Sequence, residues 1–353
     1  MPVKGYGSSV RRFSVAIGLS AMLWAAAAAC VPAPLSAVFE AGDMRPPAVV
    51  SWGPSGSAEL LIMFDEPLSD AMPGFASSPG PAVGSVAVIA DGMGVRVLLD
   101  GAGEPGTAYA VSGIVADAAG NMSSFVLPYW GFNPDPPVLK FNELLTEGSS
   151  THPDAVEFHV AEGGGCAGLA FFVGIPSDHD LRYIFPPLAV EAGDFIVLHL
   201  KPQGMPEEVD ETVDKAASGG LDATPGAWDL WFRGENGALS GTNGALSLCA
   251  SPNGGMIDAV LYSIRTADSD TKYGGFGSAA LRDRVAAIVD SGAWFASEPP
   301  RPEDCARSEG TTSTRTICRS SSVGDSDSGG DWHVVPTKGS TLGTHNTDEV
   351  NVP

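Results

Sequence analysis

"NPDPPVLKFNELLTEG" (133–148) decides how this chain is divided and what it folds into. Pro134, Pro136 and Pro137 have no backbone N–H, fix their own φ and restrict the residues before them, so 133–137 cannot join a sheet ladder. The pentapeptide therefore reads as a linker. Upstream, "AVVSWG" (48–53), "AELLIMF" (58–64), "VAVIAD" (86–91), "GVRVLLD" (94–100) and "AYAVSGIVAD" (108–117) are short, rich in strand formers and bounded by Gly, Pro or Asp. Such regular spacing predicts a β-sandwich. In "VRVLL" and "AYAVSGI" the alternation gives one buried and one wet face. "ADAAGNM" (116–122) reads as a closing loop, with Asp117 and Asn121 as turn formers. The predicted class is all-β: two Ig-like β-sandwich domains in tandem, over 45–132 and 138–346, with a tail over 347–353.

The order of "RPPAVVSW" (45–52), "MFDEPLS" (63–69) and "GTAYAVSGIVADAAGN" (106–121) resembles a bacterial Ig-like domain of the kind repeated in surface-layer and adhesin-like proteins. After the linker, "VLKFNELLTEG", "DAVEFHV" (154–160), "FPPLAVEAGDFIVLHL" (185–200), "NGALSLCASPNGGMIDAVLYS" (243–263) and "DWHVVPTKGSTLGTHN" (331–346) resemble, in that order, a lamin-tail domain. The resemblance places Asn142 and Glu143 on the family's "NE", and Asp154 and Glu157 on its "DWxEL", where Ala155 replaces Trp and Val160 replaces Asn. Gly193 falls on the turn before the strand Phe195 to Leu198, and Asp258 and Tyr262 on "vDxvxY". Asp331, Trp332, Thr341, Leu342 and Gly343 fall on the closing "DW…TPG", with Leu342 in place of Pro. The lost Trp and Pro imply looser local packing. Two inserts depart from the minimal domain. Residues 201–227 are acidic and breaker-rich, which predicts a mobile surface loop. The insert over 278–292 contains "SAALRDRVAAIVD" (278–290), which predicts a helix capped by Ser278 and ended by Gly292, with Leu281, Val285, Ile288 and Val289 packing on a sandwich edge.

The N-terminus addresses location. Lys4, Arg11 and Arg12 precede an apolar run from Phe13 to Ala29, which closes as "WAAAAACVPAPL" (24–35). A charged head, an apolar middle and a small-residue end describe a secretory signal over 1–29. Ala27-Ala28-Ala29-Cys30 resembles the bacterial lipobox, with Ala27 in place of the usual Leu. That resemblance implies a lipid on Cys30, a tether over 30–44, and a membrane as partner through the acyl chains. Stable anchoring takes more than one chain. Val31 does not resemble an inner-membrane retention signal, so the expected location is the outer membrane, at its periplasmic face or the cell surface. The chain has 19 Lys and Arg against 42 Asp and Glu, a formal charge of −23. Nucleic-acid binding needs clustered cations, so no nucleic-acid partner is expected.

Four cysteines remain after Cys30, and an even number in an exported chain favours two disulfides. Cys305 and Cys318 flank a polar twelve-residue loop whose arms can pair as a hairpin, which predicts one bridge. Cys166 with Cys249 is then the second by elimination, against the reading that these are buried free thiols. No CxxC or HxxxH spacing supports zinc.

Several groups invite chemistry. His152, Asp154, Glu157 and His159 are metal-ligand types, but in a strand they alternate between faces. "GDSDSGGD" (324–331) offers Asp325, Asp327 and Asp331 as candidate calcium ligands, without a distal bidentate Glu. No other cofactor is expected. Glu143 and Glu157 can meet across adjacent strands, and burial together raises the pKa of one, as a glycosidase requires. There is no GxSxG elbow, and the Gly-rich "GGFGSA" (274–279) has no Lys for phosphate. The sequence therefore predicts a non-catalytic binding or adhesion module with an unidentified protein or envelope partner. An envelope hydrolase using sandwich carboxylates and a purely structural spacer are the alternatives.

Overall fold

The computed structural model describes residues 43–69, 74–235 and 237–352. The strands in chain order are β1 (Val49–Gly56), β2 (Glu59–Phe64), β3 (Ala76–Ser78), β4 (Val83–Val88), β5 (Gly94–Leu99), β6 (Ala108–Ala116) and β7 (Met122–Trp130), then β8 (Val138–Leu145), β9 (Ala155–Glu162), β10 (Gly164–Gly165) and β11 (Ala170–Ile175). They continue with β12 (Asp178–Ile184), β13 (Ala189–Val190), β14 (Phe195–His199), β15 (Trp228–Trp231), β16 (Asn243–Cys249), β17 (Met256–Ser263), β18 (Ala306–Arg307), β19 (Ile317–Arg319) and β20 (Trp332–Val334). One α-helix, α1 (Ala279–Asp290), occurs among the described residues. The protein is an all-β sandwich fold.

Before the prolines, a sheet of order β1-β2-β5-β4 faces a sheet of order β3-β6-β7. The alternation read from "VRVLL" is present: Val95, Val97 and Leu99 are buried while Arg96 and Leu98 face outward. They meet Leu60, Ile62, Phe64, Val111, Leu127 and Tyr129 in one core. At the β6–β7 turn, Asp117 accepts from the Asn121 backbone at 2.9 Å and from its side-chain amide at 2.7 Å.

After the prolines, a five-stranded sheet (β12-β11-β16-β17-β18) packs on a six-stranded one (β15-β14-β9-β8-β19-β20). Phe141, Phe158 and Phe171 interlock between them at centroid separations of 5.0–6.0 Å. No residue of this core belongs to the first. Helix α1 begins where expected, with Ser278 Oγ accepting from Leu281 N. Val285 and Ile288 are buried, and the helix lies against β11 and β16, on a sheet face and not on an edge. Arg284 is also buried. It forms ion pairs with Asp178 at 2.9 Å and Asp180 at 2.7 Å on β12.

The acidic insert is ordered where a mobile loop was expected. Two of its carboxylates turn inward and accept backbone N–H groups. Glu208, almost fully buried, accepts from Gln203, Gly204 and Met205, and Glu211 accepts from Ser218 and Asp229. Trp231 donates to Ser218 Oγ at 3.0 Å.

Candidate functional site

In β9, Val156, Phe158 and Val160 point into the core, which leaves Glu157 and His159 on the outer face of the six-stranded sheet. Glu143 of β8 lies opposite Glu157 in the strand register, and neither side chain is exposed. What covers them is the segment 340–346, a strap laid across the sheet. Glu143 accepts from Ser340 Oγ at 2.9 Å, Thr341 N at 3.0 Å and Thr341 Oγ1 at 2.6 Å. Glu157 accepts from Gly343 N and from Asn142 Nδ2. Asn346 ties the strap's end to the carbonyls of Asn142 and Arg319. Gly343 has φ +82°, and a Cβ there would meet the Thr224 side chain at 2.3 Å, so the crossing needs glycine. Leu342, where the lamin-tail resemblance implied looser packing, instead packs on Leu145, Ala155, Phe195, Val197 and Ala227.

Burial, and then the neighbouring Glu143 charge, push the Glu157 carboxyl well above its ordinary pKa. The two carboxylates thus meet as the sequence suggested, and one is shifted upward. Their oxygens face the strap and not solvent, so the pair holds that segment in place.

Beside the strap, four loop segments and the end of β8 converge on a concave site of about 550 Å³. Leu145 and Leu342 supply an apolar floor. His152, Asp222, Thr314, Lys338 and Ser340 supply polar groups. His152 Nδ1 and Asp222 Oδ1 are 3.0 Å apart. Asp222 and Lys338 both hold left-handed backbone conformations, at φ +61° and +65°. A cation, an imidazole and hydroxyls over an apolar floor suit a polar ligand. Of these polar groups, sequence reading singled out only His152. They are loop residues far apart in the chain, and no local pattern marks them.

The remaining expected constellations disperse. His152 pairs with Asp222, while Asp154 is buried and accepts from Gly148 N and Leu239 N at 2.8 Å. His159 packs on Phe195. His152, Asp154, Glu157 and His159 therefore form no common site. Of the calcium candidates, Asp331 is turned away and accepts from Ser326 and Ser328. Asp325 and Asp327 instead gather with Asp258 of β17, one carboxylate oxygen from each lying within 4.8 Å of the others. Asp43, Glu66 and Asp117 form a second such group. A buried pair, His199 Nε2 and Asp229 Oδ1 at 2.7 Å, is stacked under Trp231 and shut off from solvent.

The cysteine expectations are corrected. Cys166, Cys249, Cys305 and Cys318 are all buried free thiols, and neither the 305–318 nor the 166–249 bridge is formed. The arms flanking the polar loop do not pair as a hairpin. β18, after Cys305, joins β17 in the five-stranded sheet. Cys318 lies in β19, between β8 and β20 of the opposite sheet. The two arms join different sheets, β18 at the edge of one and β19 inside the other, which separates the two sulfurs. Burial pushes the Cys166 and Cys249 thiols up to about 12, and Cys305 and Cys318 also upward. Cys30 lies outside the described residues.

A family model described as "TP_1001_2nd: protein second domain" matches residues 137–334, more than half of the chain. The chain belongs to this family. The match begins at the last proline of the linker and ends at the last residue of β20. An uncharacterized protein of Treponema pallidum (strain Nichols) is 28% identical over 194 residues, 54% of this chain. The alignment covers 48% of that protein, so the chain spans about half the length of this relative. A solved structure of domains 1–6 of the surface layer protein SbsC is similar over 60% of this chain and 40% of that one, at 12% identity and a TM-score of 0.24.

Proposed function

We propose that the protein is an exported lipoprotein, held to the outer membrane by acyl chains on Cys30, that presents the loop end of its second sandwich to an envelope partner without catalysing a reaction. The observation that carries this reading is the pocket beside the strap, where four separate loop segments converge and bring together His152, Asp222, Thr314, Lys338 and Ser340. Loops gathered at one end of a β-sandwich are the usual binding surface of Ig-like domains. The lamin-tail and bacterial Ig-like resemblances agree with such a surface, and the N-terminal signal and Cys30 support the compartment.

The chemistry in the pocket supports binding over turnover. His152 is bonded to Asp222, and among the described residues no hydroxyl is hydrogen-bonded to its ring, so no activated nucleophile stands there. The carboxylates that a hydrolase would use are sealed under the strap.

The experiment is binding of full-length protein to isolated envelopes, compared with a Lys338→Glu, His152→Ala variant. The expected result is saturable binding that the double substitution weakens by tenfold or more, about 1.4 kcal/mol. Equal binding by both proteins would place the partner surface elsewhere. Hydrolysis of an envelope ester or glycan, lost in the variant, would overturn the non-catalytic reading.

A further inference from the structure

Lys140 points outward from β8 and ends among three carboxylates. Its Nζ is 3.0 Å from Asp325 Oδ2, 3.8 Å from Asp258 Oδ1 and 4.0 Å from Asp327 Oδ1. The other oxygens of Asp258 and Asp325 are already committed. Asp258 Oδ2 accepts from Phe141 N at 2.7 Å, and Asp325 Oδ1 is bonded to the Arg319 guanidinium. One oxygen from each carboxylate therefore converges on the place where the ammonium sits.

The ammonium serves this place poorly. It hydrogen-bonds at most Asp325, and leaves Asp258 Oδ1 without a hydrogen bond although the Asp258 side chain has no solvent exposure. A buried carboxylate oxygen in that state is costly. Lys140 and Arg319 together also leave one of the three negative charges uncompensated. Replacing the ammonium by a divalent ion removes that excess. Oxygens within 4.8 Å of one another can share one ion at the 2.3–2.6 Å distances calcium uses.

We propose that Asp258, Asp325 and Asp327 form a site for a hard divalent cation, calcium foremost, for which the Lys140 ammonium is the resident competitor. Lys140 is about one-third exposed and can withdraw to solvent as the ion enters. Three protein oxygens leave the remaining positions to water, which suits calcium's variable coordination better than a closed octahedral cage. Asp331 takes no part, because its oxygens are held by Ser326 and Ser328. The ion would join β17 to the 324–331 loop, stiffening the joint between the two sheets.

The test uses full-length protein in detergent micelles, titrated with terbium chloride and back-titrated with calcium chloride. Trp332, whose ring lies 4.8 Å from the Arg319 guanidinium carbon, is the sensitiser. Wild type should bind one ion with a Kd of about 0.1–1 mM, the range of weak extracellular calcium sites. Asp258→Asn should weaken that at least tenfold. Lys140→Met should tighten it about tenfold, since it removes a like charge at ion distance. That gain is the discriminating result, because loss of a purely structural ion pair confers no affinity for calcium. No saturable binding by wild type up to about 10 mM would overturn the proposal. So would a Kd unchanged by Lys140→Met, and this arm stands even if Asp258→Asn fails to fold.

Discussion

Glu157 shows how a single buried carboxyl shapes stability. Its folded pKa is raised, so its favourable contribution is complete below the unfolded value and is lost as pH rises through the folded one. Asp258 acts in the same direction, since burial lifts its carboxyl to about 6. The predicted profile is a loss of stability between about pH 4 and 6 from Asp258, with Glu157 acting in the same direction as pH rises above its ordinary value. Glu157→Gln removes the buried charge together with one acceptor oxygen, so relative to wild type it should be more favourable at pH 8 than at pH 4, as read by urea denaturation at both. Glu143→Gln should instead lower stability at pH 8. It weakens three bonds to Ser340 and Thr341, at about 2 kcal/mol or more in total for bonds to a charged acceptor. Equal responses to the two substitutions would mean that the pair is not arranged as described. The meeting of these residues was legible in the sequence because adjacent strands set their register. What they hold was not, because Thr341 lies 198 residues from Glu143.

Among the elements, the strap and α1 carry the clearest tests. Leu342 packs on the outer-face cluster of Leu145, Phe195 and Val197, so Leu342→Ala should cost about 1–2 kcal/mol. A substitution at Gly343 that adds a Cβ should cost more, through both the positive φ and the contact with Thr224. Ser278→Ala should cost about 1 kcal/mol by removing the helix cap. Differential scanning calorimetry reads all three, and a Leu342→Ala protein as stable as wild type would contradict the strap's role. The helix was legible because its cap, apolar spacing and terminator are local signals. Arg284 was not, since its partners Asp178 and Asp180 lie more than a hundred residues away. The 201–227 insert misled for a related reason. Its acidic composition reads as solvated until Glu208 and Glu211 are seen accepting backbone N–H groups.

At the scale of the molecule, two all-β cores follow one another along a strongly acidic chain, with four thiols sealed inside the second unit. Alternation such as Val95–Leu99 made the sandwich class legible, because one buried face per strand imposes a period of two. The thiol state was not legible, since a polar loop between two cysteines does not reveal that its arms finish opposite sheets. Folded protein should accordingly resist alkylation at Cys166, Cys249, Cys305 and Cys318, and unfolded protein should expose all four, as mass spectrometry can count. The central claim is that this fold is delivered to the envelope as a lipoprotein. Its most direct test is metabolic labelling with a clickable fatty-acid analogue followed by detergent phase partition. Wild type should carry label and enter the detergent phase, while Cys30→Ser should be unlabelled and remain aqueous. A Cys30→Ser protein that is labelled and partitions like wild type would contradict the account.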